Sequence, residues 1–87
     1  MIESWDDFAW EDYLYWQSQD KKTLLRINLL LQNIDRNGNE GIGKPESLKD
    51  NLQGYGSHRI DSVNRLVYRI NENRIEILQC RSHYSNK

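Results

Sequence analysis

The hydrophobic period of this 87-residue chain changes once, and that change decides what the chain can fold into. Up to Arg36-Asn37-Gly38, apolar residues recur at helical spacing. Trp5, Ala9, Tyr13 and Trp16 form one stripe, flanked by Phe8. Leu24, Ile27, Leu31 and Ile34 form a second, broadened by Leu30. Ser4 and Asp7 fit a capping box for the first helix, and Asp20 is placed to cap the second. Residues 38–45 carry three glycines and no period, which predicts a loop. Leu48–Tyr55 reads as a turn running into a strand. Beyond it the period is two: Ser57–Asp61, Arg65–Ile70 and Arg74–Ser82 read as strands, with Asn71-Glu72-Asn73 as the turn between the last two. Residues 1–3 are placed to add a short edge strand. The expectation is a single α+β domain over residues 1–87, with two N-terminal helices packed on one face of a small antiparallel sheet.

A turn at Asn71–Asn73 sets Ile70 opposite Arg74. Because strand side chains alternate between faces, Arg65, Val67 and Arg69 then share a face with Ile75, Ile77, Gln79, Arg81 and His83. Leu66, Tyr68 and Ile70 line the other face with Leu78 and Cys80, which the helices would bury. This register groups Arg65, Arg81 and His83 at one end of the sheet.

Charge is split along the chain. Residues 1–20 hold six acids and no base, whereas residues 21–87 hold all twelve bases against seven acids. The basic part suits an anionic partner, although a solvated acidic helix beside a mixed sheet would show the same split. The longest aliphatic run, Leu29-Leu30-Leu31, is far short of the ~20 residues that span a bilayer. An acidic start is unlike a secretory leader, and the lone Cys80 cannot form an internal disulfide. These features predict a cytoplasmic protein with no membrane association.

Several chemistries fail on residue count. The segment Gly41-Ile42-Gly43-Lys44-Pro45-Glu46 lacks the Gly-Lys-Ser/Thr ending of a phosphate loop, and Pro45 opposes helix initiation there. His58 and His83 lie twenty-five residues apart with one cysteine in the chain, so no metal site is expected. No Gly-x-Ser-x-Gly elbow occurs, and Cys80 is predicted to face the core. What remains suits a phosphodiester: Glu46 near a loop, the cations Lys49, Arg59, Arg65 and Arg81, His83 beside Tyr84, and Tyr55 as a stacking surface. RNA brings its own nucleophile in the 2′-OH. Cleavage then needs a base, cations for the phosphorane and an acid for the departing 5′-oxygen. Each residue also has an ordinary structural explanation, so spacing alone leaves a nuclease and a plain binding domain both open.

Glu11-Asp12-Tyr13-Leu14-Tyr15-Trp16, Gly43-Lys44-Pro45-Glu46, Leu48-Lys49, Asn51-Leu52, Arg59-Ile60, Arg65-Leu66-Val67-Tyr68 and Cys80-Arg81-x-His83-Tyr84 occur in order from about residue 5 to residue 84. Together they resemble the YoeB/Txe family of bacterial toxins in the RelE superfamily. The resemblance implies a fold like that of microbial ribonucleases and the toxin of a toxin–antitoxin pair, a cofactor-free, metal-independent endoribonuclease cutting mRNA in the ribosomal A site. It implies Glu46 as general base, His83 as general acid and Arg65 on the scissile phosphate. Lys49 and Arg59 would assist, and Tyr84 would position the substrate. A YefM-like antitoxin and a homodimer are implied as well. The chain departs from the family at Gly56 and His58, where a bulky aromatic and an arginine are usual, and in the tail at residues 85–87. The departures keep a second expectation in view: a weakened toxin that occupies the ribosome or an antitoxin without cutting RNA.

Overall fold

A computed structural model describes residues 1–37 and 54–81, together with the backbone of 46–47. The loop expected over residues 38–45, most of the segment 48–55, and the residues after 81 lie outside the described residues. The element order is β1 (Ile2–Trp5), α1 (Asp7–Gln19), α2 (Lys21–Asn37), β2 (Glu46–Ser47), β3 (Gly56–Arg59), β4 (Arg65–Asn71) and β5 (Arg74–Gln79). The strands form one sheet in the order β1-β5-β4-β3-β2. β2 with β3, β3 with β4 and β4 with β5 pair in the antiparallel sense, and β1 runs parallel to β5. The predicted α+β architecture is therefore present, with a mixed sheet because the edge strand expected at the N-terminus pairs in the parallel sense.

That edge strand also moves the first cap. Ser4 lies within β1 opposite Glu76, and Trp5 lies opposite Ile77. Extended backbone continues to Asp6, whose carboxylate accepts from Phe8 N at 3.3 Å and caps α1. The capping box expected at Ser4 and Asp7 is thus displaced. Asp20 does cap α2: its Oδ1 accepts from Lys22 N and Thr23 N, and Thr23 Oγ1 donates to Oδ2 at 2.9 Å. Its own N–H closes α1 on Trp16 O, so a single residue separates the helices.

Ile27, Leu30 and Ile34 of α2 are fully buried. They pack with Ala9 and Trp16 of α1 against Leu66, Tyr68, Ile75, Ile77 and Cys80 of the sheet side. Each such aliphatic chain stabilises the fold by about 1.5–3 kcal/mol. Among the described residues no helix is long and apolar enough to cross a membrane.

The β4–β5 hairpin departs from the predicted register. Asn71 pairs with Arg74 and Ile70 with Ile75, so the turn has two residues, with Glu72 at φ 58°. A glutamate in that region is strained, and the helix-facing packing of Ile70, Ile75 and Ile77 offsets it. Ile75 and Ile77 therefore face the helices. A bulge follows, after which Val67 pairs with Gln79. The extra residue restores the original parity, so Cys80 still enters the core while Gln79 shares the far face with Val67.

Candidate functional site on the far face of the sheet

β3 and β4 present alternate residues on the face away from the helices. Arg59 pairs with Arg65 at one end, and Ser57 with Val67 two pairs inward on the same face. The connection between the strands is fixed by Asp61, whose Oδ1 accepts from Val63 N and Asn64 N at 2.8 and 2.7 Å. Burial works to raise the Asp61 pKa, but hydrogen bonds from Asn64 and Val63 overcome it and hold the carboxyl below its usual value. This short, tied loop sets Arg65 at the first position of β4.

The half-buried Arg65 does not swing freely. Its Nε donates to Ser57 Oγ at 2.6 Å, and its Nη2 lies 3.5 Å from Ser57 O. Ser57 is itself fully buried. The Ser57 contacts fix the orientation of the Arg65 guanidinium, a group whose planar fork suits phosphate. Glu46 enters the same ladder through its backbone, since it pairs with Ser57 across β2 and β3. The register row Glu46, Ser57, Val67, Gln79 thus crosses the sheet two residues along the strands from Arg59 and Arg65.

Of the candidates named from the sequence, the structure brings Arg59, Arg65 and the Glu46 backbone to one ladder. Lys49, His83 and Tyr84 lie outside the described residues. Tyr55 sits under the Arg69 guanidinium, 5.0 Å from its ring centroid, and Arg69 pairs with Glu76 through Nε at 2.8 Å. The Arg81 guanidinium lies 3.6 Å over the Tyr15 ring of α1, past the end of β5 at Gln79.

Position 58 also reads differently in three dimensions. His58 is fully buried on the helix-facing side, with Nε2 2.9 Å from Tyr68 Oη. A histidine there is a core residue of this chain, and burial pushes the Tyr68 phenol up to about 12. Sequence reasoning passed over Ser57, whose partner Arg65 lies on the neighbouring strand and is reached only by the pairing of β3 with β4. It also passed over Asp12, hidden in an acidic run yet buried against Cys80 N at 3.1 Å. Among the described residues no cluster of three or more His, Cys, Asp or Glu could hold a metal ion.

A family model for the YoeB-like toxin of bacterial type II toxin–antitoxin systems matches residues 5–84. The toxin YoeB of Synechocystis sp. is 54% identical over 78 residues, covering 90% of this chain and 91% of that protein. Toxin YoeB of Escherichia coli is 46% identical over 80 residues, covering 92% and 95%. Among solved structures, the YoeB/ParE toxin from Agrobacterium tumefaciens superposes with a TM-score of 0.93 at 42% identity, covering 97% of this chain and 100% of that one. The toxin fold in the YoeB–YefM complex from Staphylococcus aureus gives 0.91 at 50% identity, covering 97% and 98%. YafQ from E. coli, at 16% identity and a TM-score of 0.72, shares the fold alone. With a matching model over nearly its whole length and close relatives on both measures, the chain belongs to the family of YoeB-like toxins of bacterial type II toxin–antitoxin systems.

Proposed function

We propose that this toxin is an endoribonuclease that cuts mRNA in the ribosomal A site by attack of the 2′-OH on the adjacent phosphorus. The observation that carries the reading is the Arg65 guanidinium anchored on Ser57, with Arg59 opposite it and the Glu46 backbone on the next strand. In this reading Glu46 takes the 2′ proton, and the 2′-oxygen forms its bond to phosphorus. Arg65 stabilises the charge on the phosphorane, assisted by Lys49 and Arg59. The P–O5′ bond then breaks as His83 donates a proton to the departing oxygen, with Tyr84 positioning the substrate. The products are a 2′,3′-cyclic phosphate and a 5′-hydroxyl. The nucleophile and all proton transfers are accounted for without a metal ion. With so few protein groups, in-line geometry is left to the ribosome, and alignment of this kind lowers barriers by several kcal/mol.

The relative from Staphylococcus aureus is described as a YoeB–YefM complex and as a YoeB dimer. By likeness, a YefM-like antitoxin and a second copy of the chain are its partners, and the cytoplasm its place of action. The test is induced expression without antitoxin, followed by mapping of mRNA 5′ ends. Clean cuts within translated codons, retained in excess chelator when lysate is assayed and lost in Glu46→Ala and His83→Ala, support the enzyme. Growth arrest with intact message would replace it with a toxin that blocks the ribosome without cleaving.

A further inference from the structure

Local charge rules are broken repeatedly at one end of this molecule. Lys21 and Lys22 open α2, where the helix dipole favours acids, and its first turn contains none. Lys22 and Arg26 are one turn apart on the same helix flank, where like charges repel. Arg59 stands directly opposite Arg65 across β3 and β4, a like-charge pair of the kind that weakens sheets. These sites meet in space. One flank of α2 faces α1, where Asn28 Oδ1 accepts from Tyr13 Oη at 2.9 Å. The opposite flank faces β3, where Arg26 Nη2 lies 3.5 Å from Arg59 O. The acids that flank these bases in sequence are committed elsewhere. Thr23 hydrogen bonds, more than the charge of Lys22, hold the Asp20 carboxyl below its usual value, and both Asp61 oxygens accept from Asn64. Among the described residues, the ion pairs Met1–Asp35 and Arg69–Glu76 take in neither Lys22, Arg26 nor Arg59. Repulsion of this kind weakens the free fold, and a polyanion laid along the bases offsets it.

We propose that Arg26 and Lys22 carry the cationic surface of Arg65 and Arg59 around the end of the sheet onto α2, and that RNA backbone binds along it. The inference rests on the reading of this toxin as acting on ribosome-bound mRNA, and extends it to a second contact surface. Arg65 and Arg59 serve the linkage being cut. Arg26 and Lys22, in the helix layer, hold phosphates beyond that linkage and so set affinity rather than the rate of bond making. Contacts to phosphate position a strand without reading its bases, so this grip is independent of codon. Two strands offer the same chemistry: the message beside the cut, and the ribosomal RNA around it.

The test titrates toxin onto ribosomes programmed with mRNA whose A-site codon is 2′-deoxy, which removes the nucleophile and leaves binding to be measured alone. Lys22→Gln and Arg26→Gln should each weaken binding roughly three- to tenfold, the net worth of about one hydrogen-bonded contact. Each should also lower the slope of log affinity against log salt by about one. Arg26→Lys should restore that slope. Arg74→Gln, the same loss of charge at the hairpin end of β5, should change neither quantity. Without RNA, Lys22→Gln should keep or raise the melting temperature, because repulsion is relieved. On ordinary mRNA, both glutamine variants should cleave at the wild-type rate once toxin is saturating. An equal loss of affinity on ribosomes lacking mRNA assigns the contact to ribosomal RNA, and a loss seen only with mRNA assigns it to the message. Unchanged affinity and slope in both variants, or an equal loss in Arg74→Gln, would overturn the proposal and leave these bases as solvated charge. If the wild-type toxin itself does not bind these ribosomes, the reading of function fails instead.

Discussion

On the helix-facing side of the sheet, Leu66, Tyr68, Ile75 and Ile77 are at most 1% exposed, and the polar His58 is closed on Tyr68. On the far side the same strands carry Ser57, Arg59, Arg65, Arg69 and Glu76. Both sides contain polar groups with partners. On the inner side the pairing removes those groups from any contact with a ligand. On the outer side the pairing fixes the orientation of a cation, Arg65, on the hydroxyl of Ser57. Parity sets which residues share a face but not their exposure, since Ser57, Val67 and Gln79 of the far side are also buried.

The sharpest way to break that comparison is to truncate one residue on each side. Arg65→Ala should lower cleavage by roughly 10²–10³-fold, as loss of a charge-stabilising group does, with an unfolding midpoint close to wild type. Its neighbour in sequence, Leu66→Ala, should lose about 2–5 kcal/mol of stability in denaturant titration while its folded fraction cleaves normally. If Arg65→Ala unfolds, or Leu66→Ala cuts poorly when fully folded, the division between the two sides fails.

A smaller effect is expected at Ser57. Ser57→Ala removes the anchor of Arg65 Nε but leaves the arginine in place, so turnover should fall about tenfold, the worth of one charged hydrogen bond. Ser57→Thr, which keeps the hydroxyl on a strand-compatible residue, should recover most of it. Unchanged turnover in Ser57→Ala would mean that Arg65 is placed by other contacts.

The second helix was legible in the sequence because two signals agreed there. Asp20 combined a capping residue with a period, and of the α2 stripe Ile27, Leu30, Leu31 and Ile34 are buried while Leu24 is partly buried. The expected turn spans Asn71–Asn73, whereas Asn71 pairs with Arg74; that one-residue difference puts Ile75 and Ile77 on the other face, and the bulge before Gln79 returns Cys80 to the core. The Arg81 contact was illegible for a related reason: periodicity describes a strand, and Arg81 lies past its end. Ser4 lost the cap to Asp6 because the pairing of β1 with β5 is non-local, and no local pattern announces it.

The inner side has its own signature at high pH. Burial raises the Tyr68 pKa from 10.0 to about 12, so the folded chain holds the phenolic proton over a range in which the unfolded chain releases it. The contribution to stability is complete below pH 10 and is lost as pH rises toward 12. Melting temperature followed across that window should fall with pH in the wild type and fall less steeply in Tyr68→Phe. Equal slopes would show that Tyr68 ionises without penalty and that the inner side is open to water.

The smallest effect is expected from the exposed ion pair on the outer side. Arg69 holds Glu76 by hydrogen bonds and charge, and the Glu76 carboxyl is lowered from its usual value of 4.5, chiefly by the Arg69 hydrogen bond. Its depressed pKa means that any stabilisation is present above pH 4.5 and is lost as pH falls through the folded value. Both side chains are partly exposed, so solvent and salt screen the pair. Glu76→Gln should therefore leave cleavage unchanged and shift the denaturation midpoint slightly at neutral pH and low salt. The shift should vanish in high salt or in acid. Arg65 and Arg69 are thus two arginines on one strand face, each fixed by a neighbour, and only the one anchored on a buried neutral hydroxyl should matter to turnover. A cleavage defect in Glu76→Gln as large as that of Ser57→Ala would remove that distinction and extend the functional surface along β4 to Tyr55 and Arg69.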